Sequence, residues 1–246
     1  MTNYNSYTLS KRERIRFALA VLAGCTALGY VFYRSFFALI LFPLIYGKCE
    51  KLYRHYMAER RKKNLLIQFK DFLYLISSAL AAGNHMITAM KEARDGLDRI
   101  YPESEIVMEL DSIVDKVEEA GADEADALKE FSLRTGLEDI EDFTQVYQCC
   151  RQSGGNLIEA VNRAATVIGE KIAVESEIRK IGAQKKLEGR VISAMPIGII
   201  VFLQIVSPDY LNIMYESLAG RILMTGALVA SVIAYVAIER ITDIEI

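Results

Sequence analysis

The sequence predicts an all-α membrane protein, a six-helix cytoplasmic bundle carried by about four transmembrane helices. Three observations lead there. Apolar residues collect at the two ends of the chain while charges collect in the middle. Apolar side chains in that middle recur at helical spacing. Basic clusters flank the greasy stretches on the side that the positive-inside rule assigns to the cytoplasm.

Composition sets the frame. Of 246 residues, 52% are apolar and 25% charged, with a mean hydropathy of +0.19. That is too greasy for a plain soluble domain and too charged for a pure membrane bundle. Proline is scarce, at four, which favours helix. A net charge of −3 gives no basic surface for nucleic acid. The four cysteines, at positions 25, 49, 149 and 150, lack paired metal spacing, and only two histidines are available to supplement them. Cys149 and Cys150 read as buried thiols in a reducing compartment.

The membrane segments follow from runs without charge. Val191 to Val206 gives 16 such residues and Ile222 to Ile238 gives 17, each nearly enough to cross a hydrocarbon core of about 30 Å. Pro196 lies within the first, where a membrane helix tolerates it as a kink. Phe17 to Gly47 is interrupted only by Arg34. Lys11, Arg12, Arg14 and Arg16 precede that stretch, and Lys48, Lys51, Arg54, Arg60, Arg61, Lys62 and Lys63 follow it. Both clusters are cytoplasmic only if the stretch is a hairpin turning near Arg34. Its second arm, Phe36 to Gly47, is short for a span, so it is tilted, re-entrant or packed on other helices. Leu22-Ala23-Gly24-Cys25 has the form of a lipoprotein cleavage site, but the apolar run continues past it to Tyr33, so Cys25 reads as a small membrane residue.

The middle section divides into helices at its glycines. Leu65, Phe69, Phe72, Ile76 and Leu80 form one apolar face. Gly83 stops that helix and Asn84 caps a second, from His85 toward Leu97. Further helices are expected from Glu103 to Ala120, from Glu124 to Thr135 behind an Asp123 cap, and from Glu138 to Ser153. Gly154-Gly155-Asn156 repeats the stop and start. The sixth helix, with Leu157, Val161, Ala164, Ile168 and Ile172 on one stripe, is expected to run through the basic residues near 180 to 190 into the membrane. Unbroken to Val206, it is roughly 75 Å long.

The expected organisation is a basic cytoplasmic N-terminus over 1–16, a transmembrane hairpin over 17–47, a basic juxtamembrane linker over 48–63 and the cytoplasmic helical domain over 64–190. A transmembrane helix over 191–206, a short external loop over 207–221, a second such helix over 222–238 and a cytoplasmic tail over 239–246 complete it. Both termini lie in the cytoplasm of a multi-pass protein of the cytoplasmic, or inner, membrane.

Between Glu103 and Asp142 stand 15 acidic residues and three basic ones, a net of 3 − 15 = −12. Glu118, Glu119, Asp123, Glu124 and Asp126 are the densest part and are expected to present an acidic surface to a basic partner, while the basic flanks face anionic lipid. Taken singly, each acid reads as a solvated helix face. No phosphate loop, nucleophile elbow, paired metal histidines or nucleotide fingerprint is present in the sequence, so neither an enzyme nor a cofactor is expected.

Several residues together carry a resemblance: Ala82-Gly83 with Ala89 downstream, Ser153-Gly154-Gly155-Asn156-Leu157 opening the long helix, Pro196 in a span, Pro208-Asp209-Tyr210-Leu211 outside, and Gly220-Arg221 before the last span. In this order, from Asn64 to Ile246, the chain resembles the type II secretion system F domain family, and within it the Flp pilus assembly proteins TadB and TadC. The resemblance implies a non-enzymatic platform for a type IV pilus or a type II secretion-like machine. Its implied partners are a secretion ATPase, a second copy or a TadB/TadC-type paralogue, pilin subunits and membrane lipid. A single helical domain, where the larger secretion F proteins have two, points to the TadB or TadC type. The alternative reading is a membrane-anchored helical signalling or scaffold protein, which would be expected to carry a larger outside region than Ser207 to Gly220.

Overall fold

The computed structural model describes residues 11–33 and 42–242, and among them every regular element is a helix. They are α1 (Lys11–Tyr33), α2 (Phe42–Ala81), α3 (Met86–Ile100), α4 (Glu105–Glu118), α5 (Glu124–Thr135), α6 (Glu138–Ser153), α7 (Leu157–Val206), α8 (Pro208–Glu216) and α9 (Leu218–Thr242). Contacts divide the described residues into two compact units. One comprises Tyr53–Val174, and the other takes the residues up to Leu52 and from Glu175 onward.

The first unit holds a continuous apolar core built from the last half of α2, from α3 to α6 and from the start of α7. All five residues of the apolar face expected on α2, namely Leu65, Phe69, Phe72, Ile76 and Leu80, are buried. Phe69 sits among rings, with centroids 5.8 Å from Phe72, 6.3 Å from Phe131 and 5.5 Å from Phe143, the last edge-on. Edge-to-face and tilted aromatic pairs of this kind add to plain burial of area. On α7 the stripe is carried by Val161, Ala165 and Ile168 in full burial, with Leu157, Ala164 and Ile172 partly buried against it.

The helix ends obey local chemistry. Gly83 has φ +93, and the Asn84 N–H donates to the Ala79 carbonyl at 3.2 Å, the six-to-one bond that closes a glycine-stopped helix. Gly154 has φ +69 and the Gly155 N–H donates to Cys150 in the same way at 3.0 Å. The expected Asn84 cap does not form. His85 is the residue at the N-cap of α3, and Asn84 instead donates its side-chain amide to Glu92 at 3.0 Å. At α7 the expectation holds, because the Glu159 N–H donates to Asn156 Oδ1 at 3.3 Å.

In the second unit, α1 packs on α9 and α8 on α9. Tyr215 on α8 donates its hydroxyl to the Val31 carbonyl of α1 at 2.7 Å, and Gln204 on α7 donates to the same carbonyl at 3.1 Å. That carbonyl belongs to the last turn of α1, where no intrahelical N–H remains to satisfy it. Three helices are long and apolar enough to cross a membrane: Arg12–Phe32, Leu157–Val206 through its apolar end, and Leu218–Ile238. Their apolar side chains point outward; Ile192, Ile199, Phe202, Ile205, Ile222 and Ile233 are each at least 59% exposed. So much contiguous apolar surface is stable only when something apolar covers it. The proposed second arm of the N-terminal hairpin, Phe36 to Gly47, falls mostly outside the described residues, with α2 already helical from Phe42.

Candidate functional site

The acidic block around the α4–α5 joint is the feature with the clearest partner chemistry. α4 ends at Glu118, Gly121 takes φ +65 to turn the chain, and Asp123 caps α5 by accepting the Ala125 N–H at 2.8 Å. Glu118, Glu119, Asp123 and Asp126 are exposed here and Glu124 is half-buried. All five expected surface acids therefore gather at one end of two consecutive helices.

Three of the five are engaged within the unit. Glu118 pairs with Lys91 at 2.5 Å, Asp123 with Arg151, and Glu124 accepts the Tyr147 hydroxyl at 2.7 Å. Burial, with the Glu124 bond second, pushes the Tyr147 phenol well above its ordinary value and holds it protonated as the donor. Asp123 is held below the usual carboxylate range, first by the Ala125 N–H and then by Arg151. Glu119 and Asp126 have no partner among the described bonds and ion pairs, and they are the acids best placed to meet another molecule.

The same cross-linking continues along the block. Arg94 on α3 grips Asp111 on α4 with two donors, at 2.6 and 3.1 Å, and Arg61 on α2 reaches Glu105 at 2.5 Å. Lys171 pairs with Asp139 at 2.8 Å. Lys116 and Arg134 share Glu130, at 2.5 and 2.6 Å, and Arg134 also pairs with Glu109, which is buried at 7% exposure. The Lys116 bond is the first cause that lowers the Glu130 carboxyl.

Asp123 supplies a pH-dependent prediction. Its folded carboxyl titrates below the unfolded value, so its contribution is full above about pH 4 and is lost as pH falls through the lower folded value. Asp123→Asn keeps a good capping side chain without a titrating group. In hydrogen exchange of α5 amides between pH 6 and pH 3, the variant is expected to show a shallower loss of stability than the parent. Equal slopes would assign the acid sensitivity to Glu130 and its neighbours instead.

The residues expected from the family resemblance occupy joints. Gly83 and Gly154 are the left-handed helix stops described above. A side chain on Gly155 would meet Ser153 Oγ at 3.4 Å and Cys150 Cα at 3.6 Å. Leu157 opens α7 against the core. Pro196 lies inside α7, which is helical on both sides of it and through Gly182 and Gly189. Pro208, Asp209 and Tyr210 form the first turn of α8, so the segment expected as a loop contains a nine-residue helix. Gly220 passes so close to the Met214 backbone that a Cβ would collide with it. Gly189 was not singled out from the sequence, yet a side chain there would run into Ile238 of α9. Its only sequence signal was a small residue next to an apolar span.

A groove of about 430 Å³ lies between α6 and α7, floored by Phe143, Ala160, Ala164 and Ile168. Among the described residues no three His, Cys, Asp or Glu side chains stand close enough to hold a metal ion.

A six-helix unit whose last helix continues as an apolar segment long enough to cross a membrane defines a membrane-attached helical protein without a described catalytic cluster. A family model for the type II secretion system protein F matches residues 72–205, from the α2 face through α3 to α6 and almost to the end of α7. The chain belongs to that family, which consists of membrane platform proteins of secretion and pilus-assembly machines. No curated protein and no solved structure matches the chain.

Proposed function

We propose that this chain is the inner-membrane platform of a Flp/Tad-type pilus or type II secretion-like machine, where it couples a cytoplasmic secretion ATPase to the assembly of pilin subunits. The observation that carries this reading is the unbroken α7, Leu157–Val206, which begins in the core of the helical unit and ends as an apolar segment. Displacement of its first turns by a motor is transmitted along a single hydrogen-bonded rod of 50 residues, roughly 75 Å long. Transmission of this kind needs two discrete arrangements of the packed helices. The single six-helix unit supports the TadB or TadC type, working with a second copy or a paralogue. The basic residues bordering each apolar stretch support a multi-pass arrangement with both termini in the cytoplasm.

The motor surface is assigned to the α4–α5 joint. Glu119 and Asp126 carry it, because reversing them leaves the Asp123 cap and the Tyr147–Glu124 bond intact. Glu119→Lys with Asp126→Lys is expected to lower retention of the secretion ATPase on the membrane-embedded chain by about tenfold, equivalent to roughly 1.4 kcal/mol. Retention equal to the parent's, with the fold intact by circular dichroism, removes the assignment.

A further inference from the structure

Beyond the apolar stretch that ends at Gly47, α2 continues without interruption for a further 34 residues, and its first turns there have an unusual exposed face. Leu52 is 71% exposed and Tyr56 is 62% exposed, one helical turn apart on the same side. Lys51, Arg54, His55 and Arg60 are exposed around them, with Glu59 the one exposed acid. The opposite side is used elsewhere, since Ala58 is buried at 5% exposure and Arg61 is turned to Glu105 on α4. A leucine and a tyrosine left in water beside four ionisable nitrogen side chains are not accounted for by the core of the unit.

We infer that this face of α2, Lys51, Leu52, Arg54, Tyr56 and Arg60, is a binding site for anionic phospholipid headgroups. The inference rests on the proposed membrane orientation, which puts the Gly47 end of α2 at the cytoplasmic leaflet. By the rise of a helix, Lys51 stands about 6 Å past Gly47 and Tyr56 about 14 Å past it, within reach of the headgroup layer for long side chains. Arg60 stands about 20 Å past it and adds long-range attraction that decays over a Debye length of about 8 Å.

Each part of the face has its own task. Guanidinium forks on Arg54 and Arg60 suit phosphodiester oxygens, which they engage with paired donors. Tyr56 and Leu52 offer apolar bodies to the acyl boundary, and the tyrosine keeps its hydroxyl at the wet side. A zwitterionic headgroup carries its own ammonium and gains less from these cations. The site therefore selects lipids of net negative charge, and binding to it fixes the depth and rotation of α2 at the bilayer surface.

The full chain in nanodiscs of equal phosphatidylglycerol and phosphatidylethanolamine is the material for the test, with retained lipid counted by native mass spectrometry. The parent is expected to retain phosphatidylglycerol in preference. Lys51→Gln, Arg54→Gln and Arg60→Gln together are expected to reduce that preference by more than tenfold, at about fivefold per charge near the surface, while Tyr56→Ala reduces it less. Hydrogen exchange across α3 to α6 should be unchanged in both variants. An unaltered preference in the triple variant overturns the inference, and so does displacement of the lipid by millimolar inorganic phosphate, which would mark a site for free anions. A chain that stays soluble without detergent defeats the platform reading itself. A chain that needs detergent yet keeps its lipid preference after the triple change defeats only the lipid site.

Discussion

Replacing Phe69 with alanine is expected to cost the helical unit about 3–5 kcal/mol, the range for truncating a buried aromatic ring. Phe69 has no exposed surface, and its ring is the common neighbour of Phe72 on its own helix, Phe131 on α5 and Phe143 on α6. Removing it takes away the apolar area and the edge-on contact with Phe143, and it opens a cavity between three helices that cannot all close on it. The loss is of the same order as the whole stability of a typical domain. The measurement is hydrogen exchange of α5 and α6 amides in the full chain held in detergent. Protection there should fall by two to three orders of magnitude, with Phe69→Leu intermediate and slow exchange in α9 unaffected. A loss under about 1 kcal/mol would place the centre of the core elsewhere.

Arg134→Ala is expected to be comparably damaging, by about 3–5 kcal/mol, because it strands the buried Glu109 carboxylate without its guanidinium. Glu109 is 7% exposed, and Arg134 bridges it to Glu130, which Lys116 also holds. Desolvating a carboxylate is costly, and most of the penalty comes from the unpaired partner rather than from the lost attraction. The double change Glu109→Leu with Arg134→Met removes both charges at similar volume and is expected to restore stability to within about 1 kcal/mol of the parent. Arg134→Lys should fall between, since an ammonium cannot present two directed donors to two carboxylates. Thermal unfolding followed at 222 nm orders the three variants. If the double variant is no better than Arg134→Ala, the cost arises from packing around α5 and not from the stranded charge.

Much of this protein was legible along the chain because its determinants are local. The α2 face from Leu65 to Leu80, the left-handed stops at Gly83, Gly136 and Gly154, and the Asp123 cap each depend on residues within a few positions. Their conformations follow from steric limits on φ and from short-range hydrogen bonds. α5 and α6 match the expected bounds, Glu124–Thr135 and Glu138–Ser153. The apolar ends of α7 and α9 were equally clear, since runs without charge need no knowledge of their neighbours. The Asn84 cap failed for a physical reason. The last bond of α2 already uses the Asn84 N–H, and its side chain is committed to Glu92, leaving His85 to open α3. The segment after Ser207 read as a loop because an external turn with a proline has no apolar period, whereas α8 is held by its contact with α9 and by Tyr215 on the Val31 carbonyl.

By itself the sequence determined an all-helical chain, the stops between its helices, the apolar segments long enough to cross a membrane, and the motifs that place it with secretion platforms. Which acids are free to meet a partner was decided only by the tertiary structure. A window from Glu103 to Asp142 sums to −12, but packing brings Arg61, Lys91, Arg94, Arg151 and Lys171 from outside that window onto Glu105, Glu118, Asp111, Asp123 and Asp139. Charge sums along a chain take no account of partners on other helices. Coulomb attraction and desolvation depend on distance in space, and the fold alone sets those distances.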